Sequence, residues 1–429
     1  MQRRAFLKGG LLFGAAPFWA GRAFAQEAIP GVKDLAVPLR QITKGPGFHW
    51  FGYYDKLQFD PSSRFALGMR TTVDKRTPQP DDVIEIGMID LEDDCRWTKL
   101  GESRAWCWQQ GCMLQWIPNS PTDVIWNDRE GDRFVSRIVN VKTKEMRTLP
   151  KAIYALSPDG TFAVGTEFSR INSLRPGYGY VGVDDPFHDV KAPKDIGIYR
   201  MDLKTGEHTL LASLGQLAEL PHNGKDVTDN FHWFNHLLVN TDGTRLTFLH
   251  RWRKERADRQ TMAGSGWATR MFTLGTDGSD LYLLSTGVSH FVWADPTHIA
   301  AFIWKDATKN MKLYLAEDKT QNLTPVGHGP GMVEVDGHNT FIPHTANRWI
   351  LNDTYPQTPE RLQTLYLYDT LNDKRFDLGR FHQPREFTGE WRVDLHARTS
   401  PNGKRVIFDS THSGERQMWM MDLSGFNFE

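Results

Sequence analysis

A chain of 429 residues whose 51 basic side chains are balanced by 52 acidic ones has a formal charge of −1. That balance, without any long basic run, excludes an electrostatic nucleic-acid binder, and no nucleic-acid partner is expected. Fifteen tryptophans point to sheet packing, to stacking on sugars, or to both.

At the N-terminus, Arg3 and Arg4 precede Phe6, Leu7 and Lys8, then the apolar run LLFGAAPFWA and Ala23-Phe24-Ala25. This is the pattern of a twin-arginine signal peptide over residues 1–25, with a small-residue cleavage site. The apolar run is roughly half of the ~20 residues that span a bilayer. The mature protein is therefore expected in the periplasm or secreted, with no membrane span. Cys95, Cys107 and Cys112 are an odd number for an oxidising compartment. A Cys107–Cys112 bridge and buried free thiols both stay open.

Beyond residue 36 there is little helical periodicity. Short alternating runs are punctuated by turn residues, in the order LQFDPSSRFAL, LQWIPNSPTDVIW, YALSPDGTFAVGT, LLVNTDGTRLTFL, VWADPTHIAAFI, FIPHTANRWIL and ARTSPNGKRVIFDS. Each is an apolar arm, a Pro/Asp/Asn/Gly turn and a second apolar arm, which is a β-hairpin. A second hairpin follows each of the first six, whereas the seventh, QMWMMDLSGFNFE, has one arm only. Seven repeats of a four-stranded unit predict an all-β fold, a seven-bladed β-propeller over residues 26–429. AVPLRQIT (36–43) is the candidate for the missing outer strand of the last blade, closing the ring and removing an open edge.

The repeat also sets a register. Measured from the hairpin turn, His236, His290, His338 and His396 take the same position in blades 4 to 7, at the mouth of the central channel. HWFGYYDK (49–56) falls over the same region in blade 1, bringing His49 and Tyr54. His344 falls in its turn, on the opposite face. The loops between second and third strands open beside the four histidines and carry Arg170, Arg175, Arg251 and Arg253, suited to clamping carboxylates. Tyr54, Tyr180, Trp252 and Tyr355 are the aromatic candidates for substrate contact. The insertion at 170–190 is longer than a blade needs, so it is expected to cover substrate.

Histidines with arginines and tyrosines in an exported propeller suit β-elimination of an acidic sugar. The C5 proton of a uronate is removable only once the adjacent carboxylate is neutralised, by arginine or a divalent cation. A neutral His then serves as base, and His or Tyr protonates the leaving oxygen. The base and acid candidates are His49, His236, His290 and Tyr178, with Arg170, Arg175 and Arg251 on the carboxylate. Three imidazoles, His290, His338 and His396, could instead hold one divalent metal, Zn, Mn or Ca. A glycosidase using paired carboxylates from Asp55, Asp128, Glu167, Asp353 and Asp409 is the alternative chemistry. A sugar-binding or scaffolding propeller is the non-catalytic one.

HWFGYYDK, RPGYGY, DGH…WILNDTYP and DLHARTSPNGKRVIFDSTHSGERQ resemble the seven-bladed propeller polysaccharide lyases. These are the oligogalacturonate lyases and the related ulvan and rhamnose–glucuronate lyases. The resemblance implies an acidic oligosaccharide substrate, a catalytic histidine and a carboxylate neutralised by arginine or metal. In oligogalacturonate lyases a histidine-rich site with an added glutamine holds manganese, which here implies His338 and His396 as ligands and His290 or His236 as base. The ulvan side implies His49, Tyr178 and Arg170 or Arg175. The chain departs from the manganese pattern, because Asp394 and Leu395 precede His396 and no glutamine or second histidine stands beside it. A monomer or small homo-oligomer is expected.

Overall fold

The computed structural model describes residues 28–256, 266–304 and 311–429, so the export signal read over residues 1–25 lies outside the described residues. Seven antiparallel sheets follow one another along the chain. From inner to last strand, the first six run Phe48–Trp50 to Arg96–Ser103, Gln115–Trp116 to Met146–Leu149, Ala155–Leu156 to His208–Ser213, Phe231–Val239 to Tyr282–Ser285, Val288–Trp293 to Leu323–Pro325, and Thr340–Phe341 to Lys374–His382. The seventh starts at Arg398–Thr399 and reaches Gln417–Asp422, and its outer strand is Leu39–Gln41, pairing Leu39 with Met421 and Gln41 with Trp419. This is the seven-bladed propeller, closed by the N-terminal segment. One pairing was not anticipated: Val32–Lys33 adds a fifth strand to the sixth blade, beside Lys374–His382.

The turn chemistry does what the sequence promised. In blade 3, Ser157 Oγ accepts from the N–H of Phe162 at 3.0 Å. Gly160 has φ +73°, and a Cβ there would meet the Pro118 carbonyl oxygen at 2.5 Å, so only glycine fits. A middle strand is covered by neighbouring blades on both faces, which is why Leu362–Asp369 is buried at every position. The tryptophans mostly fill these seams: Trp50, Trp106, Trp126 and Trp233 are fully buried. No disulfide forms; Cys107 and Cys112 are buried free thiols, and burial pushes Cys107 up to about 12. Among the described residues no helix is long and apolar enough to cross a membrane.

Two features shape the channel. Residues 51–56 leave blade 1 and cross it. Asp409 anchors the crossing by accepting from the N–H groups of Phe51 and Gly52, each at 3.2 Å. Gly52 sits at φ +104°, and a Cβ there would lie 2.9 Å from the Gln110 backbone. Beyond the turn, the Tyr54 hydroxyl reaches blade 5, donating to the Phe291 carbonyl at 2.9 Å and accepting from its N–H at 3.0 Å. The crossing segment thus floors the site and separates it from the opposite mouth, where Asp55, Lys56 and His344 line a separate cavity.

The second feature is the insertion. It holds a short helix, Phe168–Leu174, and is pinned at its root. Every N–H of Arg170 has a partner: His232 O, Asp185 Oδ2, and the carbonyls of Phe187, Val190 and Lys191. With Asp185 alongside, the buried guanidinium welds residues 185–191 to blade 4.

Candidate active site

The shared register brings the four histidines to one place above the crossing segment. The His290 and His338 rings lie 4.2 Å apart, and His338 and His396 lie 4.3 Å apart. The Tyr53 ring links the fourth, packing on His236 at 5.1 Å and on His396 at 4.9 Å. His236 and His396 hold left-handed backbone, at φ 53° and 43°. Such conformations cost about 1–3 kcal/mol each and survive where the surroundings enforce them. Here the enforcing bonds are explicit: the Tyr154 hydroxyl accepts from the His236 N–H, and Asp353 accepts from the His396 N–H.

His338, Asp394 and His396 can each offer one ligand atom, all within 4.8 Å of one another and all buried. His338 Nδ1 donates to Asp353 at 2.8 Å, which leaves its Nε2 as the open donor atom. Burial opposes charge on His338, but the Asp353 carboxylate outweighs it and raises its pKa. His396 Nε2 and Asp394 Oδ1 are buried without a hydrogen-bond partner. Orphaned buried atoms of this kind are costly, and a cation would satisfy them. The donor set therefore fits a divalent metal. Asp394 is the third donor, the residue that looked like a departure from the manganese pattern. Asp394 and His396 stand two apart in sequence, and their ligand atoms converge on that of His338.

His290, assigned by sequence to either role, has its two ring nitrogens in different surroundings. Its Nδ1 lies 3.0 Å from Asp336 Oδ1, a carboxylate held by Ser289 Oγ at 2.7 Å. The acceptor on Nδ1 fixes the proton there and leaves Nε2 as a lone pair, with the Tyr355 hydroxyl 3.4 Å away. Burial keeps His290 below its ordinary pKa although Asp336 pulls the other way. His236 is held neutral by burial and by Arg251.

Arg251 is buried and Arg175 half-buried, and neither has a carboxylate partner among the described residues. Arg175 Nε has no hydrogen bond, and its guanidinium stacks on Tyr178 at 4.6 Å and Trp267 at 4.2 Å. Arg251 touches Thr269 only weakly, at 3.3 Å. Burial, then the neighbouring Arg175, pulls Arg251 down to about 10. Two close cations without counterions mark a place for an anion. Trp267, 38% exposed, stands over them. Arg392, paired with Asp394 at 2.9 Å, donates to the Tyr178 hydroxyl at 2.9 Å and so ties blade 7 to the insertion across the mouth.

Several sequence candidates lie elsewhere. His49 sits in the seam of blades 7 and 1, its Nδ1 3.0 Å from Gln417 Oε1 and its ring edge-on to Trp97. An imidazole at position 49 faces away because Tyr53 and Tyr54, beyond the turn, take the channel. Arg170 has no free N–H. Tyr180 stacks on Phe168 at 4.2 Å, and its hydroxyl accepts from Asn127, so it belongs to the core. Trp252 alternates with Arg251 along its strand and packs on His232 and Arg270 instead of the mouth. Arg253 donates to the Leu174 carbonyl and caps the insertion helix. Each carboxylate of the glycosidase alternative is engaged: Asp55 with Lys56, Asp128 with Arg137, Glu167 with Lys151, Asp353 with His338, Asp409 with Arg398. The sequence reading missed Tyr53, Asp336, Arg392, Asp394 and Trp267. Only Asp394 carried a local signal, its two-residue spacing from His396.

No family model matches the sequence, and no curated protein matches it. Among solved structures, an oligogalacturonate lyase in complex with manganese aligns with a TM-score of 0.63 at 15% identity, over 92% of this chain and 96% of that one. A second oligogalacturonate lyase, from Vibrio parahaemolyticus, aligns with a TM-score of 0.63 at 15% identity, over 91% and 95%. The fold is that of the oligogalacturonate lyases. At this identity the likeness to those lyases is one of architecture, and it covers more than nine-tenths of each chain.

Proposed function

We propose that this protein is an exported carbon–oxygen lyase that cleaves uronic-acid-containing oligosaccharides by β-elimination. The observation that carries the reading is a partly orphaned His₂Asp donor set lying beside His290, whose Nε2 is left as a proton acceptor. A mixed nitrogen and oxygen set suits a divalent transition metal such as manganese or zinc. A cation held by His338, Asp394 and His396 would neutralise the uronate carboxylate and so acidify the adjacent C5–H. His290 Nε2 takes that proton, and Asp336 stabilises the resulting imidazolium through Nδ1–H. The electron pair left at C5 forms the C4=C5 bond as the C4–O bond breaks. Arg175 and Arg251 receive the carboxylate of the neighbouring sugar, and Trp267 offers its ring a stacking surface. The twin-arginine pattern assigns this activity to the periplasm or the medium.

The test is direct. Mature protein loaded with manganese is incubated with a panel of oligouronates, and products are followed by the ultraviolet absorbance of the conjugated double bond and by mass. Elimination adds no water, so one product is an unsaturated uronide. Products that have gained water would identify a hydrolase, and sugar binding without any product would identify a binding propeller. Either result overturns the lyase reading.

A further inference from the structure

Five tyrosines from four parts of the chain surround the histidines, and four of their hydroxyls have a hydrogen-bond partner. Tyr54 is bonded twice to the Phe291 backbone. Tyr154 donates to Gln110 Oε1 at 2.7 Å and accepts from the His236 N–H. Tyr178 accepts from Arg392, and Tyr355 lies against His290 Nε2. Tyr53 is different. Its residue is 2% exposed, its ring is fixed between His236 and His396, and its hydroxyl is buried without a partner. A buried O–H left without an acceptor costs about 1–3 kcal/mol, so a protein keeps one where a ligand will accept the bond.

The position of that hydroxyl says which ligand atom. On one side stands the His338–Asp394–His396 group, reached through His396. On the other stand Arg175 and Arg251, reached through His236 and Tyr178: the Tyr178 ring packs on His236 at 5.7 Å, Arg175 stacks on Tyr178 at 4.6 Å, and Trp267 joins Arg175 to Arg251. If one uronate carboxylate goes to the first group and the neighbouring sugar's carboxylate to the arginines, the glycosidic oxygen joining the two sugars lies between them. Resting on the lyase reading, we infer that Tyr53 is the proton donor to the leaving oxygen. As His290 removes the C5 proton and the C4=C5 bond forms, the C4–O bond breaks and its electron pair stays on oxygen. The Tyr53 O–H proton passes to that oxygen, releasing a neutral hydroxyl on the departing sugar. The tyrosinate left behind faces Arg251 and Arg175 until the His290 proton and solvent restore it.

Tyr53→Phe tests this, with two substrates. One is an oligouronate, whose leaving alkoxide needs a proton. The other is a uronide bearing fluorine at C4, whose fluoride leaves without one. Tyr53→Phe is expected to lower kcat on the oligouronate by about 100-fold or more while leaving fluoride release close to wild type. Because the hydroxyl is buried without a partner, the variant is expected to keep its manganese content and to melt no lower than wild type. Equal loss on both substrates, no loss on either, or the selective loss appearing in Tyr178→Phe instead, would each overturn the inference while leaving the lyase reading intact. A wild-type protein that forms unsaturated product from neither substrate overturns both.

Discussion

His232 and His250 lie in the same sheet as His236, yet the two sets of imidazoles are built on opposite principles. In the interior of blade 4, every ring and guanidinium nitrogen of His232, His250 and Arg270 is answered. Arg270 Nε donates to His250 Nδ1 at 3.2 Å, His250 Nε2 donates to His232 Nδ1 at 2.8 Å, and His232 Nε2 donates to the Val227 carbonyl at 2.8 Å. The chain of bonds fixes each tautomer, and the remaining Arg270 N–H groups end on the carbonyls of Leu217, Leu220 and Pro221. At the channel mouth, His396 Nε2, Asp394 Oδ1, Arg175 Nε and the Tyr53 hydroxyl are buried and unanswered. The two regions share residue types, burial and aromatic neighbours. What marks the mouth is that its unmet hydrogen-bonding capacity falls on histidine, aspartate, arginine and tyrosine atoms gathered in one place, and Arg170 against Arg175 repeats the contrast only five residues apart.

The largest way to break the comparison is on activity. His290→Ala is expected to lower turnover by about 1,000-fold through loss of the base, within the usual range for such groups, with metal content unchanged. His338→Ala and Asp394→Ala should instead lose bound manganese, read by metal analysis of the purified protein. An unchanged metal content in both would remove the assignment of the donor set.

On stability, the satisfied arginine should matter and the unsatisfied one should not. Arg170→Met leaves Asp185 buried and unpaired, and is expected to cost about 3–5 kcal/mol by denaturant titration. Arg251→Met removes a buried cation without a carboxylate partner, so it should raise Tm slightly while raising KM for oligouronates. A fall in Tm for the second variant would mean that Arg251 has a structural task.

The blade 4 pair also predicts a pH dependence. Burial lowers His232 from its ordinary value to about 4 and holds His250 well below it. Below about 6.5 the unfolded chain binds protons that the folded chain refuses, so stability is full above that pH. It is lost progressively as pH falls towards 4, by an order of 3 kcal/mol for His232 alone. Thermal melts across this range check the sign, and a flat profile would contradict the closed, neutral chain of bonds.

The propeller was legible because its cause is local and repeated. Proline, aspartate and glycine turns with β-branched or aromatic arms recur seven times, and a fixed repeat converts spacing into position around a ring. That is how His236, His290, His338 and His396 could be put at one mouth before any coordinates. The same ruler misled wherever chain direction changes between repeats. His49 and Tyr53 are four residues apart in one motif, but the left-handed turn at Gly52 sends the first into a seam and the second into the channel. Alternation did the same to Trp252, one residue from Arg251 and on the other face of the strand.

By itself the sequence determined the repeat, the closing strand and the register of four histidines, because each follows from short-range pattern and counting. Only the tertiary structure decided which buried groups are satisfied. Arg170 found Asp185 and four carbonyls, His290 found Asp336 from the next blade, and Asp394 turned out to face His338. The last two pairings cross from one blade to the next and the first folds the insertion back on itself, and hydrogen-bond satisfaction is a property of the assembled neighbours, not of the residue that is read.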